Sequence, residues 1–237
     1  MKSILVNHIV STNQKSLSDI LQTQNRIYTF LNPVSYLIAL KNKDKFAGFD
    51  GIFADGVLLV KAIKLVYGDL VQRKSFDMTS FAPILFDKAV KEGRRIYIVA
   101  SKEDELNKAV KIFSEQYPRL HIVGKHHGFF SSNKEREEEI GRIIVLNPDY
   151  LIVGMGTPLQ EEFLLQTKKM GFQGIGFTCG GFIHQTAHNQ IDYYPTWIDR
   201  ANLRFVYRMY KEPHTRKRYL QAVFLFPYYF LKEKWNN

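Results

Sequence analysis

YLIVGMGTPLQE, residues 150–161, is the stretch that decides the fold class. Its apolar run Leu151–Val153 is short and continuous, which predicts a buried strand. The run stops at Gly154 and Gly156. Glycines at the end of a strand let backbone N–H groups approach a bound anion closely.

The residues after this glycine turn predict a helix. Thr157-Pro158 is a typical helix opening, and Gln160 stands three residues after Thr157, as the second residue of a capping box does. The positive end of that helix would face the turn and attract a phosphate group. A capped strand-to-helix junction without any ligand explains the pattern equally well, so both interpretations stay open.

Strands and helices alternate along the rest of the chain. Strands are predicted near residues 27–31, 51–54, 95–100, 120–123, 150–153 and 174–178, and helices near 33–43, 57–67, 80–92, 103–116, 134–146 and 158–169. This alternation predicts an α/β, Rossmann-like fold, in which a mostly parallel sheet carries helices on both faces. Ligands bind at the carboxyl ends of the strands in such sheets. We therefore expect Asp55, the turn at 154–160 and the segment 180–184 to meet in one cleft.

Composition restricts the class of protein. A chain of 237 residues with 45% hydrophobic residues can bury a sizeable core. The single cysteine, Cys179, excludes an internal disulfide framework and fits a reducing compartment. The N-terminal segment does not resemble a signal peptide, and no apolar run is long enough to span a bilayer. We expect a cytoplasmic protein, or one associated peripherally with the inner face of the cell membrane.

Positive charge is concentrated near the C-terminus. Residues 200–237 contain nine Lys or Arg and two Glu, a net +7 of the chain's +10. Arg200, Arg204 and Arg208 recur every four residues, which places them on one helical face. An aromatic run, AVFLFPYYFL at 222–231, follows them.

Basic residues beside an aromatic segment too short to span are typical of an interfacial membrane anchor on an anionic surface. For the charge alone, a solvated basic helix is the simpler alternative. Nucleic acid is not predicted as a partner, because the aromatics are clustered rather than interleaved with the charges. We place a boundary at Tyr193–Pro195, between an α/β catalytic core of residues 1–193 and a basic helical, membrane-docking appendage of residues 194–237.

Motifs in collinear order along nearly the whole chain resemble one family, the WecG/TagA/CpsF glycosyltransferases (glycosyltransferase family 26). They are Asn32-Pro33, Ala54-Asp55-Gly56, Arg73 with Asp77, RIYIVAS at 95–101, GMGTPLQEEF at 154–163, CGGFIHQTA at 179–187 and LRFVYRMYKEP at 203–213. The resemblance implies an inverting transfer of a sugar from a UDP-sugar to a polyprenyl-diphosphate-linked acceptor, in the synthesis of bacterial surface polysaccharides. It implies neither a bound metal nor another cofactor, and the donor sugar would be N-acetylmannosamine, glucose or similar.

The resemblance also implies roles for particular residues. Asp55 is the expected general base by this resemblance, although from the isolated pattern alone a cap of the helix starting at Val57 is the better interpretation. The expected substrate-binding residues are Asn32, Arg73, Gly154, Gly156, Thr157, Gln160, His184, Arg208, Arg216 and Arg218. Of the arginines, Arg208, Arg216 and Arg218 are the candidates to bind the leaving diphosphate, for which a bidentate guanidinium is well suited.

The chain departs from the family pattern at two places. Around Arg73, the usual Arg-x-x-Gly-x-Asp is replaced by RKSFD at 73–77. Ile183 stands where the family has an aspartate, so His184 or Gln185 would have to replace its donor contacts. His184 and His188 have the spacing of a metal-binding pair, but no third ligand is evident in the sequence, and no metal is predicted. Cys179 is expected to be a small buried residue rather than a nucleophile.

Two other functions remain as alternatives. One is a non-catalytic nucleotide- or membrane-binding protein with the same fold. The other is a dehydrogenase, against which the absence of a GxGxxG motif after the first strand argues. The sequence leaves the oligomeric state open, a homo-oligomer included.

Overall fold

A computed structural model describes residues 2–189, 198 and 203–236. Within these residues, six strands form one sheet in which all neighbouring strands are parallel. The strands are β1 (Arg26–Leu31), β2 (Gly51–Ala54), β3 (Arg95–Ala100), β4 (His121–His126), β5 (Tyr150–Gly154) and β6 (Ile175–Thr178). Their order across the sheet is β2-β1-β6-β5-β3-β4. The predicted Rossmann-like α/β fold is therefore confirmed.

Helices cover both faces of this sheet. They are α1 (Ile4–Gln14), α2 (Leu17–Ile20), α3 (Pro33–Leu40), α4 (Lys43–Ala47), α5 (Val57–Tyr67), α6 (Phe81–Glu92), α7 (Glu103–Gln116), α8 (Asn133–Leu146), α9 (Leu159–Lys169), α10 (Phe182–Asn189), α11 (Arg204–Lys211) and α12 (Arg216–Trp235). On one face, α2, α6, α7 and α10 share a core rich in phenylalanine. On the other, α1, α3, α4, α5 and α12 cover β1 and β2, and α8 and α9 cover the sheet beside them.

Most residues of the inner strands are apolar, as expected for a parallel sheet that is covered on both faces. Every residue of β2, β5 and β6 is buried, and β1 and β3 are buried except at their first residue. Only partial burial is found in β4, which forms one edge. This continuous burial leaves few polar positions within the strands, so the polar chemistry collects where the strands end.

The C-terminal helix α12 packs on the core with one face and leaves the other exposed. Phe226 and Phe230 are buried against Tyr36 of α3, with ring centroids 5.5 and 5.4 Å from that of Tyr36. The Tyr36 hydroxyl donates a hydrogen bond of 2.6 Å to Glu233. Phe224 and Trp235, in contrast, are largely exposed. Among the described residues, no helix combines the length and the apolar character that crossing a membrane requires.

Several sequence predictions need correction. Helices α1 and α2 were not predicted, β4 begins and ends later than expected, and the helix predicted at 33–43 is divided into α3 and α4. The capping box of Thr157 and Gln160 is also wrong. Helix α9 has Pro158 at its N-cap without a side-chain cap, and the side-chain oxygen of Gln160 accepts from the backbone N–H of Gly180 rather than from that of Thr157. The predicted boundary at 193–195 and Arg200 lie outside the described residues.

Replacing phenylalanine by alanine should destabilise the protein strongly on the buried face of α12 and hardly at all on its exposed face. Phe226 is 1% exposed and Phe224 is 76% exposed. Phe226→Ala should lower the free energy of unfolding by about 3 kcal/mol or more, since it leaves a cavity in the core. Phe224→Ala should change it by less than about 0.5 kcal/mol. Urea denaturation of both variants measures this difference, and equal effects would show that α12 does not share the core.

Candidate active site

A cavity of about 500 Å³ opens at the carboxyl ends of β1, β2 and β6, and α11 and α12 contribute to its wall. This volume is within the range of about 300–1,000 Å³ that is usual for small-molecule sites. Six of the residues predicted from the sequence line it: Asn32, Asp55, Arg73, Thr157, Gln160 and Arg208.

Asp55 follows the last residue of β2 and takes its hydrogen bond from Ser75 rather than from a helix. The Ser75 hydroxyl donates to Asp55 Oδ1 in a short hydrogen bond. Helix α5 has Gly56 at its N-cap and no side-chain cap there, so the alternative that Asp55 caps this helix is wrong. The carboxylate is thus directed at the cavity instead of being used by the backbone.

The electrostatic surroundings of Asp55 shift the pKa of its carboxyl group upwards. Burial raises the pKa of the Asp55 carboxyl, and the nearby charge of Asp77 raises it further. The hydrogen bond from Ser75 and the charges of Arg204 and Arg73 act in the opposite direction, but the pKa stays above the ordinary value. A carboxyl group with a raised pKa accepts a proton more readily near neutral pH, as a general base must.

The segment after α5 holds Ser75 in place beside β2. The backbone N–H of Lys74 donates to the carbonyl of Ala54 at 2.9 Å, which extends the pairing of β2 by one residue. Two residues beyond Ser75, Asp77 accepts a hydrogen bond of 2.6 Å from Arg204 of α11. The C-terminal segment is therefore connected to the loop that positions the candidate base.

On the opposite side of the cavity, Gln160 links α9 to the turn after β6. Its side-chain oxygen accepts a hydrogen bond of 3.1 Å from the backbone N–H of Gly180, and its side-chain nitrogen donates to Glu161 at 2.9 Å. Glu161 is fully buried beneath the site and also accepts from Thr29 at 2.9 Å. Burial raises the pKa of Glu161, so its protonated form is favoured. These bonds fix the Gln160 amide in one orientation.

The glycine turn after β6 brings the backbone close to Arg208. Gly180 has a φ of +55°, which favours glycine. A Cβ atom on Gly181 would lie 2.7 Å from a guanidinium nitrogen of Arg208. Helix α10 begins at Phe182, which lines the same wall as Arg208, so the positive end of the α10 dipole is near that wall. This pairing of a helix N-terminus with a guanidinium suits a phosphate group.

The charge of the cavity wall is positive. Four cations, Lys61, Arg73, Arg204 and Arg208, line it together with the two carboxylates Asp55 and Asp77. The excess of two positive charges matches a ligand that carries a diphosphate. Cys179 also lines the cavity, but burial raises the pKa of its thiol, so it is protonated and a poor nucleophile.

Asn32 lines the cavity and also caps α3. Its side-chain oxygen accepts hydrogen bonds from the backbone N–H groups of Val34 at 2.9 Å and Ser35 at 3.1 Å. The Ser35 hydroxyl completes the capping box by accepting from the Asn32 backbone at 2.8 Å. The side-chain oxygen is therefore engaged, and a substrate contact by Asn32 would use its amide N–H group.

The structure does not bring the other predicted residues to the cavity wall. Gly154 lies behind it, where a Cβ atom would be 2.6 Å from the sulfur of Cys179, and Gly156 has a φ of +77° in the turn before α9. The His184 ring contacts Glu105 of α7 instead. In the tail, Arg216 donates to the carbonyl of Met209 at 2.8 Å, and both Arg216 and Arg218 are exposed. The glycine turn that faces the cavity is thus the one after β6, not the one after β5.

Sequence reasoning missed other residues of the wall. Ser75 carries no motif, and only its contact with Asp55 distinguishes it. Ile183 is fully buried in the core, so the neighbour that faces the cavity in this part of α10 is Gln185 rather than His184. Arg204 could have been found, because it shares a helical face with Arg208 at a spacing of four residues.

Comparison with known proteins identifies a family and several named relatives. The sequence model described as the Glycosyl transferase WecG/TagA/CpsF family matches residues 4–237. A UDP-Gal:alpha-D-GlcNAc-diphosphoundecaprenol beta-1,4-galactosyltransferase of Shigella boydii is 38% identical over 193 residues, which cover 81% of this chain and 80% of the relative. An N-acetylglucosaminyldiphosphoundecaprenol N-acetyl-beta-D-mannosaminyltransferase of Bacillus subtilis (strain 168) is 27% identical over 221 residues, 89% of this chain and 84% of the relative.

The raised pKa of Asp55 predicts a pH-dependent gain of stability when its charge is removed. Its folded pKa exceeds the unfolded one, so wild-type protein loses stability as rising pH ionises the buried carboxyl. Asp55→Asn cannot ionise and still accepts from Ser75. Its stability relative to wild type should therefore increase between about pH 4 and pH 8.

Chemical denaturation at both pH values is the measurement. Asp87→Asn, at an exposed position within α6, is the matched control and should show no such increase. A stability difference for Asp55→Asn that does not change with pH would contradict the raised pKa.

Proposed function

The chain belongs to the WecG/TagA/CpsF glycosyl transferase family, and we propose that it transfers a hexose from a UDP-sugar to a polyprenyl-diphosphate-linked N-acetylglucosamine. The observation that carries this proposal is the position of Asp55. The Asp55 carboxylate accepts a hydrogen bond from Ser75, and its pKa is raised. The same cavity is lined by cations that could bind a diphosphate. The product would serve the synthesis of a bacterial surface polysaccharide.

In the proposed reaction, Asp55 removes the proton from the attacking hydroxyl of the acceptor sugar. The oxygen then attacks the anomeric carbon of the donor from the face opposite the diphosphate, so the configuration is inverted as UDP leaves. Negative charge develops on the departing diphosphate. Arg208 and the positive end of the α10 dipole are placed to stabilise it.

UDP-galactose is the donor that we propose first. The support is the greater identity to the galactosyltransferase, 38% against 27% for the N-acetylmannosaminyltransferase. Gln185 lies on the wall beside Gly181, 3.4 Å from the position of a Cβ atom there, and is placed to contact the sugar or the nucleotide. It would replace the contact that the family makes through an aspartate at the position of Ile183.

We further propose that residues 194–237 form an appendage that docks on an anionic membrane surface. The lipid-linked acceptor would reach the cavity there. On α12, exposed apolar side chains alternate with the buried ones, and the exposed Arg216, Lys217 and Arg218 begin the same helix. Aromatic and basic side chains on one exposed surface are typical of helices that lie in a membrane interface. Helix α11 belongs to this appendage and also carries Arg208, so docking and diphosphate binding would involve adjacent elements.

A donor panel tests the proposed activity. UDP-galactose, UDP-N-acetylmannosamine and UDP-glucose are supplied with a polyprenyl-diphosphate N-acetylglucosamine acceptor in the presence of a chelator, and UDP release is measured. UDP-galactose should be used fastest, without added divalent metal. Asp55→Asn should lower the rate by about 10²-fold or more, since it removes the proton acceptor but keeps the size of the side chain.

UDP binding, measured by calorimetry, separates loss of catalysis from loss of the site. Asp55→Asn should bind UDP nearly as well as wild type does. Transfer by Asp55→Asn within a few-fold of wild type would exclude Asp55 as the base. UDP binding without transfer to the acceptor from any donor would favour the alternative of a non-catalytic nucleotide-binding protein.

Membrane docking predicts a loss of vesicle binding when the exposed rings are removed. The double variant Phe224→Ala/Trp235→Ala should lower partitioning onto anionic vesicles by roughly tenfold or more, because a fully buried aromatic side chain contributes about 1.5–3 kcal/mol. Flotation measures the partitioning. Phe129→Ala removes an exposed ring elsewhere on the chain and is the control. If the double variant floats as wild type does, α12 is not the docking surface.

A further inference from the structure

Two histidines of α10 and a glutamate of α7 form a cluster outside the cavity. His184 and His188 are four residues apart, so their rings lie on one face of the helix, with centroids 4.5 Å apart. His184 Nδ1 is 2.8 Å and His188 Nε2 is 3.2 Å from the same oxygen, Oε1 of Glu105. The three potential ligand atoms all lie within 4.8 Å of one another. The third ligand that the sequence did not reveal is thus supplied by the fold.

The glutamate is held in position from behind. Glu105 is the third residue of α7, and its Oε2 accepts a hydrogen bond of 3.4 Å from the backbone N–H of Lys102, which precedes the helix. This bond turns Oε1 towards the imidazoles. Because the carboxylate is already oriented, less conformational entropy is lost when a ligand binds to it.

The helices that carry the ligands are fixed to each other by the core. Phe182 of α10 and Phe113 of α7 stack with their centroids 5.5 Å apart, and Ile183 is fully buried beside them. The side chain of Glu105 is 13% exposed, and those of His184 and His188 are 37% and 53% exposed. The cluster is therefore rigid at its base and open to solvent on one side, so an ion can enter.

We propose that Glu105, His184 and His188 bind a divalent transition-metal cation of the zinc class. Bonds of about 2.0–2.1 Å from zinc to imidazole nitrogen and carboxylate oxygen, at tetrahedral angles, place the ligand atoms about 3.3 Å apart. The two nitrogen-to-oxygen separations, 2.8 and 3.2 Å, are close to that value, and the two imidazole nitrogens, which lie within 4.8 Å of each other, would have to approach it when the ion binds. Two imidazoles and one carboxylate are a ligand set for zinc and its neighbours rather than for magnesium or calcium. The fourth position would be taken by water.

This cation would be structural and not catalytic. None of its three ligands lines the cavity, whereas Gly181, Phe182 and Gln185 of the same segment do. The metal would fasten the later part of α10 to α7 and so steady the wall that carries Gln185. Transfer chemistry at Asp55 would proceed without it, so this site does not depend on the proposed function.

A second cluster, His126, His127 and Glu135, makes a useful contrast. His126 Nδ1 faces the carbonyl of His127 at 2.7 Å, and its Nε2 is 3.9 Å from Glu135. His127 Nδ1 accepts from the backbone N–H of Phe129 at 3.3 Å. A backbone contact at one nitrogen leaves the other nitrogen of each imidazole able to bind a metal, so the weak point of this cluster is the 3.9 Å separation between His126 and Glu135. This cluster therefore carries no metal proposal.

Cobalt(II) titration of the full chain, after dialysis against a chelator, tests the proposal. A tetrahedral site gives intense visible absorption bands, which should appear with one equivalent of Co²⁺ and disappear when Zn²⁺ displaces it. His188→Ala and Glu105→Gln should each weaken Co²⁺ binding by more than about tenfold, since even residues behind metal ligands change affinity by roughly 10–100-fold. His121→Ala, at an exposed histidine of β4, should bind as wild type does. Zn²⁺ should also raise the unfolding temperature of wild type but not of His188→Ala.

Two results would overturn the proposal. One is the absence of tetrahedral bands in folded wild-type protein at Co²⁺ concentrations up to the millimolar range. The other is Co²⁺ binding that His188→Ala and Glu105→Gln leave unchanged. In the first case the cluster is a hydrogen-bonded network in which both imidazoles donate to Glu105. The two variants would then lower the unfolding temperature equally with and without chelator.

Discussion

Parallel pairing of the strands is the constraint on which the rest of this structure depends. Because β1, β2 and β6 run in one direction, their carboxyl ends meet at one edge of the sheet. Helices on both faces exclude polar chemistry from most of the strand interior, so the reactive groups stand just beyond the last strand residues. Asn32, Asp55 and Gly180 each lie one or two residues beyond the end of a strand, and α10 begins two residues after Gly180. The position of the cavity is therefore determined by the topology of the sheet and not by any individual side chain.

The parts of this arrangement that local patterns encode could be predicted from the sequence. Apolar runs bounded by glycine located β2, β3, β5 and β6, and a charged amphipathic pattern located α7. Asp55 and Gln160 were identified through motifs, and both line the cavity. The contacts between distant segments could not be predicted. Ser75 is 20 residues from Asp55, and Glu105 is 79 residues from His184. No local pattern around either residue of a pair indicates that the two side chains are in contact.

The glycines illustrate why a motif does not fix a role. Gly154-x-Gly156 has the pattern of an anion-binding turn, yet a Cβ atom at Gly154 would collide with Cys179 and the backbone of Gly180, so close packing explains it. The turn that does face the cavity is Gly180-Gly181. For an anion to bind there, the turn would need the charge of Arg208 from the C-terminal segment, which lies beside it. Only the three-dimensional neighbours decide between two glycine pairs that look alike in sequence.

The C-terminal helices connect the candidate active site to the exposed outer side of α12. Helix α12 uses Phe226 and Phe230 to complete the core against Tyr36, so its position is determined by packing rather than by a flexible linker. Its outer side then presents Phe224 and Trp235 in a fixed orientation relative to the cavity. Helix α11 adds the pairing of Arg204 with Asp77, next to the loop that supports Asp55 through Ser75. A displacement of the outer surface would therefore reach the candidate base through two hydrogen-bonded contacts, which is a physical route by which membrane docking could be coupled to transfer.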